Sequence, residues 1–207
     1  ANAVATVPFV YRFYPMVREA RARIARQPGA VRLVHGSYLQ DWLSTEEDYN
    51  WRVEARWSDP SRAFADIGSH WCDLVEFVTD DRIAAVQAEL VTAFPARLAP
   101  RSRMHSFESG HGGDRMSRVV TTEDVALVLF RTVAGVSGSV VVSQISSGHK
   151  NHLRFEMTTA DTTLVFDPEP PPSPWLGKRN TSEPVTRHDP QLYPSPAPYP
   201  SPPPLPL

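Results

Sequence analysis

The sequence predicts an α+β fold, in which a largely antiparallel open sheet carries helices on one face. Strand and helix patterns alternate in the first part of the chain, and a run of consecutive strand patterns follows. Consecutive strands joined by short turns pair antiparallel, and helices that precede them can cover one face of the sheet. The hydrophobic content of 41% is sufficient for such a core.

The N-terminal part alternates between strand and helix patterns. Residues 4–10 form a short apolar run that favours a strand, and residues 16–27 carry apolar side chains at helical spacing. Pro15 suits the first turn of that helix, and a proline–glycine pair follows its last residue. Residues 31–40 then alternate between apolar and polar side chains, which predicts a strand.

A polar and aromatic loop over 41–62 precedes a second predicted helix over 66–79. Residues 95–118 are basic, contain glycine and lack a pattern, which predicts a mobile loop. Strand patterns occupy the remaining ordered part of the chain, over 83–94, 124–132, 136–146, 151–159 and 162–167.

Proline marks the C-terminal boundary, since 15 of the 21 prolines lie from Pro168 onward. Proline has no backbone donor, so residues 168–207 are expected to form an irregular tail that cannot join a sheet. This tail is interpreted either as a ligand for a proline-binding groove or as a linker or truncated end. The expected organisation is a last strand or linker of a preceding domain over 1–10, an α+β domain over 11–167, and the tail.

Charge, cysteine content and hydropathy exclude several functional classes. The formal net charge is -2 and both signs are spread along the chain, which argues against a nucleic-acid partner. No apolar run reaches the ~18 residues of a membrane span. Cys72 is the single cysteine, which fits a reducing cytoplasm.

Asp66 and His70 form the sharpest chemical pattern in the chain. They are four residues apart, so on a helix they lie on one face, where a carboxylate can fix an imidazole tautomer and raise its basicity. General acid–base catalysis near neutral pH uses this arrangement. The same spacing also suits an N-cap aspartate followed by a satisfied polar residue. No third ligand at a telling spacing supports a metal site.

Further segments surround this pair in a characteristic order. Residues 7–15 end in Arg-x-x-Pro before a helix, and Trp51-Arg52 precedes the Asp-x-Gly-x-His and Asp-Leu of residues 66–74. Residues 122–143 carry a Thr-Glu-Asp and later glycines. In this order and spacing they resemble the substrate domain of the glucose–fructose oxidoreductase and inositol dehydrogenase family, the Gfo/Idh/MocA family.

The resemblance implies an enzyme that moves a hydride between NAD or NADP and a carbon of a sugar or polyol. His70 matches the family histidine that exchanges a proton with the reacting hydroxyl. Asp66 matches the residue that orients the substrate or that histidine. Tyr11 and Arg12 match positions at the domain junction, close to the substrate.

The long loop adds Trp42, Trp51 and Arg52 as candidates for substrate contact. Aromatic faces pack against the C–H surfaces of sugars, whereas the alternative is that these side chains only pack the loop. The expected partners are a small sugar or polyol and a second copy of the chain, because the open sheet has a free face that a homo-oligomer would bury.

The chain departs from the family pattern where the cofactor would bind. It has neither a Gly-x-Gly-x-x-Gly fingerprint nor a Glu-Lys-Pro, so no cofactor-binding residue is assigned and neither NAD nor NADP is expected to bind this chain tightly. Residues 58–62 stand where the family usually has glycines. Two hypotheses follow: a substrate domain that is inactive without its nucleotide-binding half, or a non-catalytic remnant or homo-oligomerisation module.

Overall fold

The structure is a computed structural model that describes residues 4, 6–27, 30–58, 61–100 and 114–168, together with the backbone of 175–178 and 182–184. Its α-helices are α1 (Pro15–Ala25), α2 (Ala55–Ser58) and α3 (Ser69–Thr79). Its strands are β1 (Leu33–Leu39), β2 (Ile83–Val91), β3 (Ala96–Pro100), β4 (Arg115–Val119), β5 (Val125–Thr132), β6 (Ser137–Ser143), β7 (His152–Thr158), β8 (Thr162–Phe166), β9 (Trp175–Lys178) and β10 (Ser182–Pro184).

Eight of the described strands form one sheet, in the order β10-β9-β8-β7-β1-β6-β5-β2. Strand β1 runs parallel to β6 and antiparallel to β7, and the other described pairs of this sheet are antiparallel. Strands β3 and β4 pair as a separate two-stranded ribbon. The predicted largely antiparallel sheet is therefore confirmed, with one parallel pair at its centre among the described strands.

Helices α1 and α3 cover one face of the sheet, as predicted. Strand β5 shows why, because Val128 and Phe130 are buried while the alternating Leu127 and Leu129 are exposed. The buried set faces the helices, where the indole of Trp71 packs edge-on against Phe130. No helix in the described part of the chain is long and apolar enough to cross a bilayer.

The predicted strand over residues 4–10 is wrong for the described residues. Residues 6–9 form no regular element, and Val10–Phe13 is a short 3₁₀-helix. The apolar run has no neighbouring strand among the described residues to pair with. Val4 and Val7 stay 93% and 77% exposed, so their hydrophobicity gains nothing from burial.

Two segments predicted to be irregular contain strands. The loop over 95–118 includes β3 and β4, because Arg97 of β3 is buried and donates to main-chain carbonyls of the preceding loop. In the tail, β9 and β10 extend the sheet beyond β8. Proline is tolerated there because Pro184 lies in the outermost strand. Residues 101–113 and the remainder of the tail after Pro168 lie outside the described residues.

Candidate functional site

The helix that carries the candidate site begins with an unusual turn. Phe64–Gly68 forms a π-helical turn that continues directly into α3. Asp66 lies inside this wide turn, so the N-cap interpretation of Asp66 is wrong. The cap comes instead from Glu123, whose carboxylate accepts the backbone N–H of Arg62 at 2.7 Å and that of Phe64 at 2.8 Å. Wide turns of this kind are frequent at functional sites.

His70 lies in the first turn of α3, half-buried between two aromatic rings. The Phe9 ring centroid is 5.4 Å from the imidazole centroid and the Tyr11 centroid 5.9 Å, both edge-on. The buried Nδ1 has no hydrogen-bond partner among the described residues. An unsatisfied buried nitrogen is costly, so its presence here is typical of a group that a substrate or water completes.

The Asp66 carboxylate is held by groups other than His70. Its Oδ2 accepts from the Gln144 amide at 2.9 Å, and its Oδ1 lies 3.4 Å from Arg52 Nε. The Arg52 guanidinium in turn lies 4.5 Å from the Trp51 ring centroid. The structure therefore brings the loop pair Trp51-Arg52 beside Asp66, as the sequence order predicts, but the described contacts do not include a bond from Asp66 to His70.

A buried ionic cluster lies behind Asp66, and sequence reasoning missed it. The Asp124 carboxylate pairs with both Arg62 and Arg97, the latter at 2.7 Å, and all three side chains are fully buried. Burial lowers the pKa of the Arg62 guanidinium, and the Asp124 charge opposes that shift. Arg62 also donates to Gln144 Oε1 at 3.2 Å. Asp124 belongs to the Thr-Glu-Asp motif of the family resemblance, so the sequence did mark this position. The residue spacing did not indicate that Arg62 and Arg97 would be its partners.

Three polar side chains form a closed triangle beside His70. The Tyr11 and Tyr38 hydroxyls are 2.7 Å apart, Tyr38 donates to Asn151 Oδ1 at 2.7 Å, and Asn151 Nδ2 donates to the Tyr11 hydroxyl at 2.9 Å. Burial raises the pKa of both phenols, so they stay neutral donors. Tyr11 thus contacts His70 with its ring and this triangle with its hydroxyl.

Trp42 joins the same network through two amides. Its indole N–H donates to Gln40 Oε1 at 2.8 Å, and Gln40 Nε2 donates to Asn151 Oδ1 at 2.9 Å. The indole also packs against a small cluster that includes Leu43 and Val53. Trp42 therefore combines loop packing with a polar link toward Tyr11.

Arg12 points to a different partner. Its guanidinium forms a two-pronged ion pair with Asp73 of α3, with one N–H donating at 2.8 Å, and lies over the Phe77 ring. Asp73 is one turn beyond His70, so Arg12 fixes the N-terminal segment onto α3. A direct contact of Arg12 with substrate stays a prediction, as do the substrate contacts of the other candidates.

A separate cavity lies at the opposite end of the helices. It has a volume of about 460 Å³ and an apolar floor that includes Ile24, Val34 and Val78. The polar groups on its rim are already engaged, since Asp81 accepts the Ala134 N–H and Thr132 accepts the Val136 N–H. The polar groups that suit chemistry converge at His70 instead, so we place the candidate site there.

Comparison with known proteins agrees with this fold. The model of the GFO/IDH/MocA C-terminal domain matches residues 17–165. Levoglucosan dehydrogenase of Pseudarthrobacter phenanthrenivorans is 28% identical over 170 residues, which are 81% of this chain and 43% of that protein. An oxidoreductase domain protein from Kribbella flavida is 31% identical with a TM-score of 0.72, covering 85% of this chain and 46% of that one.

A solved levoglucosan dehydrogenase in complex with NADH and L-sorbose is 25% identical to the chain, with a TM-score of 0.72 over 90% of this chain and 47% of that one. The fold and the family match together define a C-terminal domain of the oxidoreductase class. The chain belongs to the GFO/IDH/MocA family. It spans just under half the length of the relatives it matches.

Proposed function

We propose that this chain is the substrate domain of an NAD- or NADP-dependent oxidoreductase that acts on a hydroxyl group of a sugar or polyol. The observation that carries the proposal is His70, whose Nδ1 is buried and unpartnered among the described residues while Asp66 lies one turn earlier on the same helix. The names of the relatives support the substrate class, because they include a levoglucosan dehydrogenase solved with NADH and L-sorbose.

Alcohol oxidation removes a proton from oxygen and a hydride from carbon. The residues of this site suit the transfer of the proton. A neutral His70 can accept the hydroxyl proton, and the negative charge of Asp66 favours the imidazolium that forms. The aromatic edges of Phe9 and Tyr11 limit the orientations of the ring. The reverse reaction would return the same proton to a carbonyl oxygen.

The surrounding groups suit a neutral, hydroxyl-rich molecule. Gln40 and Asn151 each use one amide N–H in the network beside His70, and an amide has two, so the second can donate to a sugar hydroxyl. Trp42 and Trp51 add aromatic surface nearby, and Trp51 is 43% exposed. Such a mixture of convergent polar groups and apolar surface is typical of small-molecule sites.

The nicotinamide cofactor would supply the hydride acceptor, and the described residues do not fit its binding. Dinucleotide sites place a glycine-rich turn between a strand and a helix N-terminus, where backbone N–H groups hold the pyrophosphate. The described elements contain no such strand–turn–helix unit. This chain would contribute the residues that handle the proton.

The complete reading frame tests the proposal. The coding sequence upstream of Ala1 should encode, in frame, a glycine-rich strand–turn–helix and a Glu-Lys-Pro. The encoded protein should reduce NAD or NADP in the presence of a sugar or polyol such as levoglucosan. His70→Ala should lower kcat by about 10²- to 10⁴-fold, the usual contribution of a general base.

His35→Ala is the matched control, because His35 lies on the open face of the sheet near Glu156 and far from α3. Its kcat should equal that of the unchanged protein. The proposal fails if no nucleotide-binding unit lies in frame, or if His70→Ala turns over normally. The isolated 207-residue chain should show no dehydrogenase activity, and measurable turnover would contradict this part.

A homo-oligomerisation module is the second candidate, because the open face of the sheet exposes apolar side chains. Leu127, Leu129 and Val141 are 42%, 58% and 40% exposed on neighbouring strands. Burying such surface is favourable by ~25 cal/mol per Å² before the costs of association. We expect a dimer by sedimentation equilibrium.

Leu129→Arg should dissociate that dimer, whereas Val86→Arg should not. Val86 is 65% exposed but lies on the helix-covered side of the sheet, opposite Phe130. A stable dimer of the chain that does not bind NADH supports the module. Tight NADH or NADPH binding by the chain alone contradicts a purely non-catalytic role.

A further inference from the structure

Gln144 joins the buried ionic cluster to Asp66. It follows the last residue of β6, and its side chain is completely buried. Its Oε1 accepts from Arg62 Nη1 at 3.2 Å, and its Nε2 donates to Asp66 Oδ2 at 2.9 Å. Gln144 therefore hydrogen-bonds both to Arg62 of the Arg62–Asp124 pair and to the Asp66 carboxylate, one turn before His70.

The chemistry of Arg62 fixes which way the amide points. A guanidinium has donors only, so the group that faces Arg62 must be the amide oxygen of Gln144. The amide nitrogen is then left to face Asp66, which must act as an acceptor. Arg62 cannot turn away, because its Nη2 pairs with Asp124 and its Nε donates to Thr122 at 3.2 Å.

The Gln144 side chain is not needed to hold its own strand end. Its backbone N–H donates to the Asp124 carbonyl at 3.1 Å, and its carbonyl accepts from the Leu43 N–H at 3.1 Å. The side chain instead occupies one oxygen of Asp66, while Arg52 lies beside the other at 3.4 Å. Both carboxylate oxygens therefore have a fixed neighbour, which limits rotation of the group that faces the site.

We infer that Gln144 is a positioning residue for the proposed proton transfer: it holds the Asp66 carboxylate in one orientation beside His70, and Arg62, anchored on Asp124, sets the direction of the Gln144 amide. This inference rests on the proposed function. It assigns a role to Arg62, which stands where the resemblance leads one to expect glycine, and it makes the buried cluster part of the site.

The first test is a double-mutant cycle in the complete enzyme. Gln144→Met, similar in size but without the donor, should lower kcat about 10- to 100-fold by misplacing the carboxylate. In an Asp66→Asn background the same change should cost less than about twofold, because there is no carboxylate left to position. Equal losses in both backgrounds, or a normal kcat for Gln144→Met, would overturn the inference. Gln27→Met, at an exposed glutamine, is the control.

Gln144→Glu covers the case in which Gln144→Met fails to fold. It keeps an acceptor for Arg62 and places a carboxyl group against Asp66, and because the two carboxyl groups can share one proton near neutral pH, thermal unfolding measured there should stay close to that of the unchanged protein. Assayed near pH ~9, where that shared proton is lost and no donor faces Asp66, its kcat should fall as for Gln144→Met. A normal kcat there would show that the side chain serves only folding. Full activity of His70→Ala and Asp66→Asn would instead refute the proposed function itself.

Discussion

The carboxylate of Glu123 accepts the backbone N–H of Arg62 at 2.7 Å, across 61 residues of sequence. It also accepts the Phe64 N–H and the Ser61 hydroxyl. A side chain from the segment before β5 therefore satisfies the first donors of the helix that carries Asp66 and His70. The position of the site depends on this distant cap, because a helix otherwise leaves its first N–H groups unpaired.

Glu123→Ala should destabilise the fold by about 2–3 kcal/mol. The estimate combines the loss of a helix cap with the loss of hydrogen bonds to a buried charged acceptor. Urea unfolding followed by circular dichroism measures it. Glu47→Ala is the control, because that side chain is exposed, and it should change the free energy of unfolding by less than ~0.5 kcal/mol. Similar stabilities for the two variants would show that Glu123 does not cap the helix.

The sequence predicted the regular part of this fold from residue spacing. Half-buried strands alternate, so β5 through β8 were placed within a few residues of their bounds, and α1 and α3 were found from their apolar stripes. The π-helical turn at Phe64–Gly68 has no such pattern. Glu123 caps the start of this turn, and a contact over 61 residues leaves no periodic signal.

The candidate site likewise has residues that the sequence predicted and residues that it did not. Asp66 and His70 were found because they are four residues apart, and Trp51-Arg52 because its order matches the family. Arg62 and Gln144 were not found, since they are 82 residues apart in the sequence and only the folded chain brings them together. Nothing in the sequence distinguishes the buried Arg62 from a surface arginine. Its burial can be explained only once its ion pair with Asp124 is known.

Gly36 should be one of the least replaceable glycines described in the sheet. A Cβ on Gly36 would lie 2.1 Å from the Arg154 carbonyl oxygen and 2.9 Å from Trp71 Nε1, which itself donates to that oxygen. Gly36→Ala should therefore cost about 3 kcal/mol or more by separating β1 from β7 and α3. Gly135→Ala meets nothing within 4 Å and has only its positive φ of 88° to overcome, so it should cost ~1 kcal/mol. Equal thermal midpoints would contradict this packing.

Asp41 should contribute a small part of the stability that the protein loses at acidic pH. Lys150 donates to its carboxylate at 2.6 Å and the Gly148 N–H at 3.1 Å, and the Lys150 bond is the main cause of the lowered pKa of Asp41. Because the pKa is lower in the folded state, this stabilisation is present above pH ~4 and is lost as pH falls through the folded value. The lysine is largely exposed, so the effect should stay below ~1 kcal/mol.

Asp41→Asn should therefore be less stable than the unchanged protein at pH 7, and the difference in stability should be smaller near pH ~3. Urea midpoints at both pH values measure the difference. The bond joins the segment that carries Trp42 to the segment that carries Asn151, so weaker sugar binding by the variant is expected as well. A constant difference at the two pH values would show that Asp41 does not titrate in this way.

Tyr38 should make the protein sensitive to alkali. Burial is the main cause of its raised pKa, and the neighbouring Tyr11 adds to it. A phenol whose pKa is higher when folded contributes stability that is complete below pH ~10 and is lost as pH rises through the folded value. Tyr38→Phe loses the bonds to Tyr11 and Asn151, so at pH ~8 it should be about 1–2 kcal/mol less stable than the unchanged protein. The gap should narrow by pH ~11, because only the unchanged protein then gains from ionising this phenol on unfolding. Urea midpoints of both proteins at the two pH values measure this difference in stability. A difference that stays constant would mean that Tyr38 ionises as readily in the folded chain as in the unfolded one.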